Sequence, residues 1–260
     1  MKAFRAGRRL FWGLLAAELI LFVSWQCAHL GGFQWTTDEG LYAMRARLLQ
    51  QGYALYRDIW TDQLPGMVQV VWLAFGLGRS QIEAARAAVV LLSSMGLLGA
   101  ALVARRLAGD LGALIVVPVV AGTPNYYWLS RAVVSPDLPS TSLGVLSLAL
   151  MAVYSDNERR WALFASGVVM AAALYIKATA LLVAVPCVLW LWLKRSGGRS
   201  FWRDAFLWSL AIAAPLLFTL LLQHPADMWR QFVLTQAASA AMEFKPVAHA
   251  AKIGAYLAEN

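Results

Sequence analysis

The sequence predicts an all-α, polytopic membrane bundle of about seven spans, with a long first outer loop carrying juxtamembrane helices. Three observations carry this expectation. Hydrophobic residues make up 60% of the 260 and charged residues only 14%, where a soluble domain carries about 25% charged residues. Apolar runs long enough to cross a bilayer recur along the chain, and short cationic clusters separate them. Many of the 12 Trp stand at the ends of those runs, where indole rings anchor to the interface. The net charge of +8 would point to nucleic acid in a soluble chain. Beside apolar spans it reads as positive-inside topology, so no nucleic-acid partner is expected.

The elements follow in order within one domain, 1–260. Met1 to Arg9 is basic, and Leu10 to Leu30 is apolar. That run exceeds a signal-peptide core, shows no small-x-small cleavage site, and has Gln26 before Cys27, unlike a lipoprotein; it reads as an uncleaved first span. The outer loop, 31–83, is long for a connection, and long ordered connections are usually functional. Within it Met67–Leu77 is apolar but too short to cross, which suits an interfacial or re-entrant helix. Span two, 84–104, ends at Arg105-Arg106. Spans three and four are expected at 111–129 and 138–154, the latter followed by Asp156 to Arg160. Spans five and six, 161–176 and 178–193, flank Lys177. The basic run Lys194 to Arg199 precedes span seven, 204–222, and 223–260 reads as an outer segment.

Placing Arg5, Arg8 and Arg9 in the cytoplasm and alternating the spans puts Arg105-Arg106, Arg159-Arg160 and Lys194 to Arg203 inside as well. The expected location is thus the plasma (inner) membrane, multi-pass. Two acidic motifs then face out: Thr36-Thr37-Asp38-Glu39-Gly40-Leu41-Tyr42 and Ser135-Pro136-Asp137-Leu138-Pro139. Gly96 and Gly99 permit close helix packing, within a monomer as readily as between chains. Cys27 and Cys187 make no disulfide framework and read as small hydrophobes. His29, His224 and His249 lack ligand spacing, and there is no Walker loop or dinucleotide fingerprint.

Carboxylates between apolar walls at a lipid surface are candidates for chemistry. Thr36-x-x-Glu39 also has the form of a capping box, which would make Glu39 only a cap. Asp38 is not needed for that box, and Tyr42 lies one turn on, on the same face. Leu41 to Gln51 reads as an amphipathic helix with Leu41, Met44, Leu48 and Leu49 on its apolar side. Asp137 could serve the dipole of span four after a Ser135 cap and Pro136. Arg131 suits a lipid phosphate or an interfacial anchor, and Lys177 a phosphate or a snorkelling site. Asp38 and Asp137 together could hold a divalent cation, although two carboxylates establish no metal site. Glu18, well inside span one, is either functional or a neutral acid hydrogen-bonded between helices.

Three segments in the outer loop carry a resemblance: Asp38 to Tyr42, Gly52-Tyr53-Ala54-Leu55-Tyr56-Arg57-Asp58-Ile59-Trp60, and Gln63-Leu64-Pro65-Gly66. With Arg86 to Arg106, Arg131 to Asp137 and Tyr175-Ile176-Lys177, the chain resembles the GT-C membrane glycosyltransferases over about 1–200. The branch is the protein-mannosyltransferase and aminoarabinose-transferase type, including rhizobial lipopolysaccharide glycosyltransferases. The resemblance implies transfer of a hexosyl or pentosyl group from a polyprenyl-phosphate sugar to a lipid, glycan or protein acceptor at the outer face. It implies catalytic roles for Asp38 and Glu39. It also implies substrate or lipid-phosphate contacts from Tyr42, Arg131, Asp137 and Lys177, and no certain cofactor beyond a divalent cation in some branches. Members usually continue through further spans, so the chain is expected to be truncated at its C-terminus. The alternatives are a transporter or flippase for a lipid-linked substrate, and a non-catalytic truncated relative that binds lipid or a partner protein.

Overall fold

A computed structural model describes residues 2–32, 36–77, 81–133, 135–193, 200–235 and 237. The expected basic run at 194–199, His249 and most of the 223–260 segment lie outside the described residues. Among the described residues ten α-helices follow in order: α1 (Lys2–Ala28), α2 (Thr37–Gln50), α3 (Gly66–Leu77), α4 (Gln81–Ala121), α5 (Pro124–Leu129), α6 (Asp137–Asn157), α7 (Arg160–Ile176), α8 (Leu181–Leu193), α9 (Phe201–Leu221) and α10 (Pro225–Met228). A 3-10 turn, Ala178–Ala180, leads into α8, and a π-helical turn, Trp229–Leu234, follows α10. Among the described residues there is no strand, only an isolated bridge between Leu55 and Ile59.

α4 is two arms. Gly109 carries φ 76° and ψ −172° inside it, a conformation that needs glycine's missing Cβ. The chain therefore folds back between 81–108 and 110–121, at the point where spans two and three were expected to part. Span three itself differs from expectation. It breaks at Gly122-Thr123, because Pro124 opens a separate short helix, α5, behind the extended Thr123.

Contacts sort the helix ends into two sets. At one end Arg105 lies over the rings of Phe11 and Trp12, with its guanidinium carbon 4.1 and 5.1 Å from their centroids. There too Arg106 pairs with Asp156 and lies 5.4 Å from the Trp190 ring centroid, and the Tyr154 hydroxyl donates to Asp204 at 2.7 Å. At the other end Arg86 bonds Glu39 and the carbonyl of Leu30, Lys177 meets Asp137, and Gln231 reaches Thr61. The described part of the chain thus passes between the ends seven times. Among the described residues four helices, α1, α4, α6 and α9, are long and apolar enough to cross a membrane. α7, with 17 residues, reaches about 25 Å, a little short of a ~30 Å hydrocarbon layer. Large apolar side chains such as Ile20, Leu21, Leu182, Phe206 and Phe218 stay exposed, as a lipid-facing surface requires.

Two apolar clusters hold the bundle. Phe11, Leu15 and Phe22 of α1 pack on Leu97, Ala101, Ala113 and Val117 from both arms of α4. The larger cluster joins α2, α3 and α6 to α9 through residues such as Tyr56, Met67, Val71, Met170 and Trp208. α3 is the short apolar helix expected at Met67–Leu77, and its Met67, Val68 and Val71 faces are buried. Small residues set the closest crossings. Gly96 and Gly99 face α6 within the chain, where a Cβ at Gly99 would stand 2.8–2.9 Å from Leu146 and Val145 backbone atoms. Ser147 and Ser166 exchange hydrogen bonds with each other's carbonyls at 2.8 and 2.9 Å across α6 and α7, and Trp208 Nε1 donates to Ser166 Oγ at 3.1 Å.

Gly99→Ala is expected to push α4 from α6 and cost about 1–3 kcal/mol. Gly13→Ala meets nothing within 4 Å, and should be neutral or gain up to about 1 kcal/mol. Thermal unfolding in detergent compares the two.

Candidate active site

The first acidic motif opens α2. Thr36 is extended (φ −100°, ψ 160°), and its Oγ1 accepts the Glu39 N–H at 3.2 Å. That is half of a capping box; the other half is missing. The Glu39 carboxylate turns to Arg86 instead, accepting from Nε at 2.8 Å and Nη2 at 2.6 Å. The Val133 N–H adds a contact to the same carboxylate at 3.4 Å, and Arg86 Nη1 donates to the Leu30 carbonyl. The pair is sealed, with Glu39 and Arg86 side chains 0% and 2% exposed. A bidentate guanidinium partner outcompetes a single backbone N–H. Glu39 was expected to be catalytic; the structure puts it beneath the surface, with both oxygens engaged. Asp38, one residue earlier, is exposed.

The buried face of α2 is only partly the apolar one expected: Leu48 and Leu49 pack half-buried against the core, but they are not its most buried residues. Glu39, Tyr42, Arg45 and Ala46 are buried, while Met44 is 53% exposed. The physical reason is that the polar partners of α2 lie inward. Tyr42 donates its hydroxyl to Gln63 Oε1, and Tyr56 donates to the Gln63 carbonyl at 2.7 Å. Gln231 in turn accepts from the Thr61 N–H at 2.9 Å and donates to the Tyr56 carbonyl. Arg45, 1% exposed, sits 3.9 Å from Asp62 and 5.9 Å from the Trp60 ring centroid. Burial pushes the Tyr42 phenol far above its usual range. Arg45 opposes this, while the fields of Asp38, Asp62 and Asp137 add to it. Tyr42 is therefore a neutral hydroxyl beneath a rim of carboxylates, and Asp38 and Asp137 lie within electrostatic reach of the same atom.

The second motif completes the rim. Asp137 starts α6, and Ser135 Oγ accepts its N–H at 3.2 Å while donating to its Oδ2 at 2.5 Å. Lys177 Nζ donates to the same oxygen at 2.7 Å. Both side chains stay accessible, 51% for Asp137 and 34% for Lys177. Lys177 is brought there by the end of α7, where it caps the helix in extended conformation. Ser140 Oγ ties that corner to α6 through the carbonyls of Ala173 and Lys177, at 3.0 and 3.2 Å. Arg131 is nearer the interior, 6% exposed, with its guanidinium over Tyr127 and Trp128 at 4.6 and 5.4 Å. Among the described residues no three His, Cys, Asp or Glu side chains gather as metal ligands, and the Lys177 ammonium already answers the Asp137 charge.

Sequence reasoning missed Arg86, Arg45 and Gln63 as parts of the site. Arg86 had a signal, since a cation two residues into an apolar span needs a partner. Arg45 and Gln63 had none, because their partners are set by the fold of the outer loop.

The dolichyl-phosphate-mannose-protein mannosyltransferase family matches residues 62–229, more than half of the chain. The chain belongs to that family. It is accordingly a membrane glycosyltransferase of the GT-C type. The matched stretch holds Asp62, Gln63, Arg86, Arg131, Asp137 and Lys177; the Asp38 motif precedes it. No curated protein and no solved structure matches the chain.

Arg86→Leu would strand the Glu39 carboxylate in the interior, and should cost about 3–5 kcal/mol of stability. Glu39→Leu with Arg86→Leu should recover much of that loss. A double-mutant cycle of thermal unfolding in detergent reads the coupling, and additive single losses would show that the pair does not act as a unit.

Proposed function

We propose that this mannosyltransferase-family chain transfers a sugar from a polyprenyl-phosphate donor to a glycan, lipid or protein acceptor at the outer face of the plasma membrane. The observation that carries the reading is the convergence at one end of the bundle of exposed Asp38 with the accessible Asp137–Lys177 pair. In the reaction, an acceptor oxygen or nitrogen bonds to the anomeric carbon as the bond from that carbon to the phosphate oxygen breaks. Asp38 takes the acceptor proton, and the polyprenyl phosphate leaves with the bonding pair. Lys177 stabilises the departing phosphate, and Asp137, itself held by Ser135, keeps the ammonium in place until it does. The exposure of Lys177 favours it as the phosphate contact; Arg131, largely buried over two rings, shapes the loop beneath. Tyr42, one turn after Asp38, ties α2 to Gln63, and Glu39 anchors the motif rather than touching substrate.

The test is transfer in liposomes from a panel of radiolabelled polyprenyl-phosphate sugars to a membrane acceptor. Asp38→Asn should lower turnover by about 10²–10⁴ with the unfolding midpoint unchanged. Lys177→Met should lower it by about 10². Full activity in Asp38→Asn would remove the base from the mechanism.

A further inference from the structure

Away from the carboxylate rim, α1 and the second arm of α4 enclose a cleft of about 510 Å³. Its walls are mostly hydrocarbon, including Leu21, Phe22, Val117 and Ala121. Glu18, Gln26 and Tyr127 interrupt them, and no Lys or Arg lines the space. Gln26 is 1% exposed, and its Nε2 donates to the Tyr127 carbonyl at 3.2 Å. That bond fixes the amide, since turning it over would set Oε1 against a carbonyl oxygen. Oε1 is left buried without a protein partner, as is Glu18 Oε2. An orphaned buried acceptor in a membrane span is costly, and native interiors rarely keep one without a use. Both groups stand on α1, eight residues apart, so they meet one groove at two depths roughly 12 Å apart.

We propose that this cleft binds a membrane lipid with a neutral alcohol head, of the diacylglycerol kind, whose hydroxyl donates to Gln26 Oε1. The chemistry selects such a ligand. The fixed amide presents an acceptor, so the ligand must bring a donor. An ammonium donates too, but loses the solvation of a full charge at this depth, where a hydroxyl loses little. A phosphate head brings oxygens to an oxygen and finds no Lys or Arg among the lining residues, the Arg131 guanidinium being held against the Tyr127 ring. Glu18 offers an anion no positive charge in either protonation state. Gln26 lies near the end of α1 beside Trp25, at the level where a head group sits and its chains run back along the apolar walls. The site is separate from the Asp38–Lys177 rim and its occupancy requires no turnover.

The experiment uses the full chain in phosphatidylcholine nanodiscs with two photoactivatable probes of identical chains, a diacylglycerol and a phosphatidic acid. Adducts are mapped by mass spectrometry. The diacylglycerol should label peptides from 18–28 and 113–127 at least about fivefold more than the phosphatidic acid, the size expected for one net hydrogen bond. Gln26→Leu should bring the two probes level. Equal labelling by both probes in the unaltered chain overturns the proposal, and that comparison stands even where the variant fails to fold. Preserved diacylglycerol preference in folded Gln26→Leu overturns it as well.

Discussion

The acidic end of this molecule hangs on the Glu39–Arg86 ion pair. Two full charges removed from water lose several kcal/mol of solvation each, and only good geometry with further hydrogen bonds offsets that. Both conditions are met: two short bonds from the guanidinium fork, a contact from Val133, and the Leu30 carbonyl on Nη1. Those partners come from the end of α1, the start of α2, the start of α4 and the loop before α6. One buried pair therefore sets how four segments meet. It also sets exposure along α2, since turning Glu39 inward leaves its neighbour Asp38 at the surface.

The rest of the rim obeys the same electrostatic logic at lower cost. Asp38, Asp62 and Asp137 repel one another around a buried phenol, and the cations Arg45 and Lys177 stand among them. Tyr42 contributes no charge, so it can be buried there and still donate a hydrogen bond. Lys177 and Asp137 differ from the Glu39 pair in being accessible. A half-exposed ion pair contributes little to stability, and it can exchange partners, as the phosphate contact proposed for Lys177 would require.

Between the two ends, hydrocarbon offers no hydrophobic drive for one helix to leave lipid for another. Close contact and interhelical hydrogen bonds supply the association. The Gly96 and Gly99 approach to α6 and the Ser147–Ser166–Trp208 bonds serve that purpose. They fix the relative height of α6, α7 and α9, and with it the meeting of Asp137 and Lys177 at one level.

Hydropathy and charge alone determined that the chain is a membrane helical bundle, where its apolar runs lie, and that both acidic motifs share one end. These follow from local quantities: a span must be apolar over its own length, and loop cations bias its direction. The Thr36 cap and the short helix at Gly66–Leu77 were legible for the same reason. Tertiary structure decided which side of α2 is buried, because its partners Gln63, Asp62 and Arg86 are remote in sequence and no helical periodicity encodes them. It decided that Glu39 is buried against Arg86 while Asp38 stays exposed, a distinction between adjacent carboxylates that depends on where Arg86 arrives. It also decided the break in span three at Gly122-Thr123 and the left-handed conformation that Gly109 takes between the two expected spans. Charge at Arg105-Arg106 and Asp110 marks where the two spans part, whereas the conformation of the glycine between them depends on how both arms pack on α1.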